Sequence, residues 1–381
     1  MANNKITLYP SNWLYNAGVV GLLRILEFAG KNNTFQFNND GSVEIERKVL
    51  EESYKLLVQY HKKELNEEFK IYGKNKRYPN YIQKNQEDFF KEEYIKKLSS
   101  VEPRINNKSC NWCCGHFLPQ KVLDDLQSKF LTNVSYKKNK DSFIKFISQR
   151  EVFQGIHIKE LGGAITEMPN SFWNFKTSTP LCHLCSYLVI FHHLSFYKDV
   201  FINTSLFYLT WDLNKFIEKF FIKDEQYNIK KLFATSLLQW IVKRRALLGT
   251  WTMMNIEMIV KRRVRINNKL ENIIDYYDLP YHITRILIDY EIANLIDRIG
   301  EIKIFNLLLD GKFSELEKAN YFILRTLLKI KNKERISEND PVKKYISESK
   351  MDINNLYKIS LLLSELYTRI MKILKTEVGY G

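Results

Sequence analysis

No stretch of this sequence is long and apolar enough for a spanning helix, which needs roughly 18 consecutive residues. The best candidate, Leu181 to Phe196, is interrupted by Cys182, His183, Cys185, His192 and His193. No N-terminal segment shows the charged, apolar and small-residue zones of a secretory signal. These absences predict a soluble, cytoplasmic protein with no membrane partner. Acidic residues are outnumbered, 43 Asp and Glu against 58 Lys and Arg, a net charge of +15. Such a surplus favours a polyanionic partner and identifies no fold. Cysteine is scarce at five residues. In a chain without a secretory signal, that count points away from a disulfide framework.

Catalytic signatures are missing as well. There is no His-Glu-x-x-His of a zinc protease and no phosphate-cradling glycine loop with its lysine. The Gly-x-Ser-x-Gly elbow is also absent. Pro180-Leu181-Cys182 through Cys185 superficially resembles the Pro-Cys-x-x-Cys of zinc nucleobase deaminases. That chemistry needs an upstream His-x-Glu or Cys-x-Glu whose carboxylate shuttles protons, and His157-Ile158-Lys159-Glu160 has the wrong spacing. The expectation is that the chain is not an enzyme and has no catalytic residue.

What is present is a pair of Cys-x-x-Cys elements, Cys110 with Cys113 and Cys182 with Cys185. Thiolates bind zinc well, and this spacing lets two sulfurs grip one ion from a tight turn. Two such pairs supply four ligands and close a tetrahedral shell. A closed shell leaves no position for water, so a structural Zn2+ is predicted. The tie closes a loop of about 70 residues, longer than in a compact zinc ribbon. Buried free thiols and a redox pair are the competing readings. Cys114 is a spare thiol able to exchange with Cys113. His116 and His183 are alternative ligands by position and are read as polar neighbours.

The patterning gives an α+β protein. Lys5 to Tyr9 alternates and predicts a strand. Ser11 or Asn12 caps a following apolar helix, Trp13 to Phe28. Gly18 and Gly21 inside it cost helix stability, which implies close approach of another backbone. Thr34 to Phe37 and Val43 to Glu46 flank Asn38-Asn39-Asp40-Gly41, a hairpin signal. A long amphipathic helix is expected over Arg47 to Phe69, and a basic aromatic loop over Tyr72 to Asn85. A helix is expected from the second cysteine pair to about Tyr197. Val200 to Asn203 and Leu206 to Trp211 read as strands. Beyond about Asn228 glycine and proline thin out, and apolar residues recur at helical spacing. Leu232 to Leu248, Ile256 to Tyr277, Tyr281 to Leu309, Glu315 to Lys333 and Ile353 to Lys375 are predicted helices. The expected organisation is a mixed α/β domain over 1–225, with its zinc-binding element at about 105–197, followed by an all-α helical bundle over 226–381.

Two basic clusters fall in the last third: Lys243, Arg244 and Arg245, then Lys261, Arg262, Arg263 and Arg265. On one continuous helix their offset of about five turns gives them a shared face able to track a phosphate backbone. A solvated surface is the competing reading. Lys74, Lys76, Arg77, Lys137, Lys138 and Lys140 are loop candidates for the same role.

The opening Leu8-Tyr9-Pro10-Ser11-Asn12-Trp13-Leu14-Tyr15-Asn16-Ala17-Gly18-Val19-Val20-Gly21-Leu22-Leu23-Arg24-Ile25-Leu26 resembles that of the CRISPR-associated CXXC-CXXC family, large subunits of the type I-B Cascade effector complex. The paired Cys-x-x-Cys elements match the motif that names the family. Asn170, Phe172 and Trp173 before the second pair, and Phe201-Ile202-Asn203 after it, fit too. The resemblance covers roughly residues 5 to 215. It implies a non-catalytic role in antiviral defence. Such a subunit binds guide RNA near its 5′ handle, inspects a short motif beside the target DNA and helps stabilise the R-loop. Other Cascade subunits and a separate helicase-nuclease are its implied partners. Protein then reads the flanking motif while base pairing reads the rest. The helical third would resemble the small subunit of such complexes, with Met253, Met254 or Met258 as an internal start. A zinc-stabilised RNA- or DNA-binding protein outside CRISPR is the main rival. A zinc-dependent nucleotide-modifying enzyme is the second.

Overall fold

The computed structural model describes residues 4–71, 82–103, 108–113, 115–132, 139–154, 178–221, 256–266, 269–278 and 280–378. The chain divides into two compact units. One comprises Met1–Asn214 with Met258–Tyr276, the other Lys215–Glu257 with Tyr277–Gly381.

The first unit is organised around one buried helix. Strand β1 (Lys5–Leu8) leads into helix α1 (Trp13–Phe28). The Asn12 side chain accepts from the Tyr15 N–H at 3.0 Å and so caps α1. Nearly every side of α1 is buried, which explains its apolar composition. Strands β2 (Phe35–Phe37) and β3 (Val43–Glu46) form the expected hairpin, and β1 pairs antiparallel on the other edge of β3. Gly41 carries the turn at φ +86°, and Asp40 accepts from the N–H and hydroxyl of Ser42.

Helix α2 (Val49–Glu64) is shorter than expected, and Asn66 just beyond it has a left-handed φ of 50°. Residues 72–81 of the expected basic loop lie outside the described residues. Helical turns follow through Glu87–Phe89, Phe90–Tyr94 and Ile95–Ser100. Strands β4 (Glu102–Pro103) and β5 (His116–Phe117) then pair across the first cysteine element. Helices α3 (Gln120–Thr132) and α4 (Lys140–Ser148) come next. Lys140, a candidate for nucleic-acid contact, begins α4 rather than lying in a loop. Strands β6 (Val152–Gln154) and β7 (Ser178–Pro180) pair immediately before the second cysteine element. That element opens helix α5 (His183–Leu188), which continues as a 3-10 helix, Val189–Ser195.

The expectation from Gly18 and Gly21 holds. α1 lies along the segment from Leu188 to Phe191. A Cβ on Gly18 would sit 2.6 Å from the Leu188 carbonyl oxygen, and one on Gly21 would meet the Phe191 carbonyl more closely still. Arg24 of α1 also donates to the Leu194 carbonyl at 2.7 Å. Further contact runs to strand β8 (Val200–Asn203). Asn16, fully buried, donates to the Asn203 side-chain oxygen at 2.7 Å and accepts from the Ser11 N–H at 2.8 Å. Two landmarks nearly 190 residues apart in sequence are thereby joined. Asn203→Ala leaves Asn16 Nδ2 its 3.0 Å bond to the Ser11 carbonyl, but its second hydrogen keeps only a long contact of 3.4 Å to the Thr204 carbonyl. The expected cost is about 1–3 kcal/mol. Urea denaturation measures it, and a midpoint equal to that of the parent chain would contradict the assignment.

Two expected elements are corrected. Leu206 to Trp211, read as a strand, starts helix α6 (Phe207–Phe221). Phe207, Thr210, Trp211, Asn214 and Ile217 are buried at helical spacing. Asn214 clamps the helix to β8, accepting from the Ile202 N–H at 2.9 Å and donating to its carbonyl at 2.6 Å. Local β preference of Phe, Tyr and Trp yields to that tertiary fit. Ile256 to Tyr277, read as a helix, forms strands β9 (Glu257–Ile266) and β10 (Lys269–Asp278). They continue from β8 in the order β10-β9-β8. The region expected to be wholly helical over 226–381 therefore contains a hairpin whose residues Met258–Tyr276 group with the first unit.

Among the described residues, the second unit holds helices α7 (Tyr281–Ile288), α8 (Tyr290–Ile299), α9 (Ile302–Leu309), α10 (Phe313–Lys331) and α11 (Ile353–Val378). The single helix expected over Tyr281 to Leu309 is three. Asp289 accepts from the N–H groups of Glu291 and Ile292 and starts α8. Gly300, at φ +60°, ends it. The expected helix Leu232 to Leu248 lies outside the described residues. No described helix is long and apolar enough to cross a membrane.

Candidate metal centre

The two Cys-x-x-Cys elements reach one point from different parts of the first unit. The β4–β5 pairing closes the chain around Cys110 and Cys113. The β6–β7 pairing delivers Pro180 to the start of α5, where Cys182 is the N-terminal cap. The Asn111 N–H donates to the Pro180 carbonyl at 3.1 Å, which fastens one element to the other.

All four sulfurs lie within 4.8 Å of one another. Cys113 Sγ is 3.5 Å from Cys182 Sγ and 3.2 Å from Cys185 Sγ. None of the four is in a disulfide. A regular tetrahedron with zinc–sulfur bonds of about 2.3 Å has edges of about 3.8 Å, so the cluster has the size of a thiolate shell around one ion. Cys182 and Cys185 are fully buried, and Cys110 and Cys113 are partly so.

Backbone amides are turned toward the sulfurs. The Gly115 N–H donates to Cys113 Sγ at 3.2 Å, and the Cys185 N–H donates to Cys182 Sγ at 3.4 Å. Gly115 makes its contact at φ +85°, a conformation that favours glycine. Such bonds stabilise sulfur in its anionic, metal-binding form.

Proton affinities within the cluster are pulled apart. Burial pushes Cys182 and Cys185 well above the usual thiol range. Hydrogen bonds from Cys110, Cys182 and Cys185 hold Cys113 far below it. Four anionic sulfurs at this spacing, two of them fully buried, repel strongly, and a central cation lets all four ionise together. The donor set, its size and its amide contacts thus fit a metal ion.

The neighbouring histidines take supporting places. His183 is fully buried, and its Nδ1 accepts from the Leu118 N–H at 3.2 Å. Burial, then the charges of Lys108 and Arg150, push its imidazole down to about 3. It is therefore neutral, with its proton on Nε2, 3.6 Å from a Glu151 carboxylate oxygen. His116 places Nδ1 3.8 Å from Cys113 Sγ. His192 is turned to the Val189 carbonyl, and His193 meets the buried His61 at 2.8 Å between Nε2 atoms. That His61–His193 contact, with Glu67 on the other nitrogen of His61, had no signal in the sequence because its members lie on separate elements. Cys114 lies outside the described residues.

A cleft of about 690 Å³ adjoins the centre, lined by β1, Tyr15, Arg47, Trp112, Cys113 and His116. The Tyr15 hydroxyl is fully buried and has no hydrogen-bond partner among the described residues. In the sequence Tyr15 is one residue of an apolar helix, and nothing beside it marks the cleft.

Only part of the expected basic face falls within the described residues. Lys243, Arg244 and Arg245 lie outside the described residues. Lys261, Arg262, Arg263 and Arg265 fall on strand β9, where successive residues alternate between faces, so the five-turn helical alignment is not formed. Lys261 is turned inward, its Nζ 3.9 Å from the centre of the Phe196 ring. Arg265 is exposed. Lys74, Lys76, Arg77, Lys137 and Lys138 are outside the described residues.

The fold and its sulfur cluster define a mixed α/β protein with four cysteines placed to bind one metal ion. Residues 144–197, which include Cys182 and Cys185, match the family model described as CRISPR-associated protein (Cas_CXXC_CXXC), and this supports a CRISPR-associated protein of the CXXC-CXXC type. No curated protein and no solved structure matches the chain.

Proposed function

We propose that this chain is the large subunit of a type I-B CRISPR effector complex, held in shape by one structural zinc ion. One observation carries the reading: the second cysteine pair lies in the matched stretch, and the fold brings it to the first pair in one four-sulfur cluster. Four thiolates favour zinc, and a filled shell gives it a structural task. The opening helix, whose sequence resembles that of the family, is bonded to the segment following the second pair through Asn16 and Arg24. A net charge of +15 suits a protein that works on guide RNA and target DNA. In this reading the subunit is non-catalytic. It inspects the motif flanking the target, steadies the R-loop, assembles with other Cascade subunits in the cytoplasm and recruits the helicase-nuclease that cuts.

Purification of the tagged chain from its native cells tests this. The expected result is co-purification of repeat-derived guide RNA with a fixed set of partner subunits. Recovery of the chain alone, under conditions that preserve such complexes, contradicts the assignment and leaves a zinc-stabilised nucleic-acid binder outside CRISPR.

A further inference from the structure

The second unit carries an exposed apolar surface whose partner the effector reading does not specify. Helices α10 and α11 pack against each other. Asn320 donates to the Ser364 hydroxyl and accepts from the Ser360 hydroxyl, each at 2.7 Å, while Tyr367 donates to Glu317 at 3.4 Å. Contacts that advance along one helix retreat along the other, so the pair is antiparallel. The same register sets Tyr321 opposite Leu361, Leu324 opposite Tyr357, and Leu328 opposite Ile353. These six are among the most exposed large apolar side chains described. Leu328 is 62% exposed, Tyr321 61% and Tyr357 60%. Their spacings, 321, 324 and 328 on α10 and 353, 357 and 361 on α11, are those of one helical face. Each helix already buries a separate face through residues such as Leu316, Ala319 and Ile323, or Leu356, Ile359 and Leu363. The exposed residues thus form two parallel ridges with a furrow between them, the shape that receives a third helix.

Charge on the rims selects the occupant. At seven-residue spacing, Lys318 and Arg325 border the α10 ridge, and Lys358, Glu365 and Lys372 border the α11 ridge; all five are exposed. Lys318 is held by Glu315 at 2.6 Å. Four cations against one anion make the borders basic. A second copy of this face would bring like charges together on both sides, which disfavours self-association.

We propose that the α10–α11 furrow docks an amphipathic helix of a partner protein, with an apolar stripe set between acidic flanks. The stripe covers Tyr321, Leu324, Leu328, Ile353, Tyr357 and Leu361, and the flanking carboxylates meet Lys318, Arg325, Lys358 and Lys372. This goes beyond the effector reading, because it concerns the chemistry of one partner segment and holds whether or not the partner belongs to a CRISPR complex.

The test uses the full chain and a fluorescent synthetic peptide of 18 residues, with leucines on one helical face and glutamates beside them. A matched peptide carries lysine in place of glutamate. The acidic peptide is expected to bind with an anisotropy rise. The lysine peptide should bind at least tenfold more weakly. Leu328→Glu and Tyr357→Glu, both at exposed positions, should each weaken the acidic peptide at least tenfold without changing the melting temperature. Equal affinity for the two peptides, no binding of either, or unchanged affinity in both variants overturns the proposal. So does a parent-chain dimer in sedimentation equilibrium that Leu328→Glu dissociates, because the face then belongs to a second copy. Capture by vesicles of 70% phosphatidylcholine and 30% phosphatidylglycerol that either variant abolishes also overturns it.

Discussion

Replacing Cys182 with serine is expected to strip the chain of its metal and unfold the first unit. Cys182 does two things at once: it offers a fully buried sulfur to the cluster and caps helix α5. Serine can keep the cap, since its hydroxyl also accepts from a backbone N–H. It cannot supply a thiolate, so the effect isolates the metal contribution. Binding of zinc to a four-ligand structural site is worth on the order of 10 kcal/mol at neutral pH. Whole domains are stable by only about 5–15 kcal/mol. Loss of one ligand therefore removes a large part of what holds the unit together. Elemental analysis should show no bound zinc, and soluble yield should collapse. Any soluble remainder should expose its amides to hydrogen exchange around β4–β5 and β6–β7. A soluble, metal-free Cys182→Ser chain with the parent melting temperature would overturn the structural role.

The second large effect is expected at Gly21, which is not one of the four cysteine ligands. Its missing side chain lets α1 touch the Phe191 carbonyl, with a Cβ there landing inside the contact distance of the backbone oxygen. A backbone atom cannot rotate away as a flexible side chain can. Gly21→Ala must therefore push α1 off the 3-10 helix Val189–Ser195, and Arg24 loses its 2.7 Å reach to Leu194. Alanine favours helix by about 1 kcal/mol over glycine, but overpacking against fixed backbone costs about 1–3 kcal/mol or more. Much of the close packing of α1 on that segment is also at stake. We expect a net loss of about 3 kcal/mol, measured by chemical denaturation. Gly30→Ala is the control: nothing lies within 4 Å of a Cβ built there, although φ is +70°. Its loss should be smaller and attributable to backbone strain alone. A Gly21→Ala chain as stable as its parent would show that the close approach of α1 is not a constraint.

The same two sites show what a sequence alone can reveal. The four-cysteine cluster was legible because chemistry restricts it: cysteine sulfur is a strong metal ligand, and Cys-x-x-Cys spacing sets two sulfurs on one tight turn. The glycines of α1 were legible for a similar reason, as glycine inside an apolar helix is costly unless another backbone comes close. The hairpin β9–β10 was misread because Ile256 to Tyr277 mixes apolar and basic residues in a way compatible with either period. Its enrichment in Val, Ile and Tyr, with the turn-favouring pair Asn267-Asn268 between the strands, was the available clue. The helix α6 was misread in the opposite direction. What decided it was Asn214 reaching Ile202, a contact that exists only once β8 is in place. The rows of exposed apolar residues on α10 and α11 were equally hidden. Helical periodicity identifies apolar residues, and only the packed structure separates those facing the interior from those left uncovered.

The proposed closed sulfur shell is directly accessible to X-ray absorption at the metal edge of the purified chain. The expected result is one zinc per chain with four sulfur neighbours at about 2.3 Å and no oxygen or nitrogen in the shell. A shell of three sulfurs with a water oxygen would contradict it. The centre would then have an open position, and the case for a zinc-dependent enzyme would return.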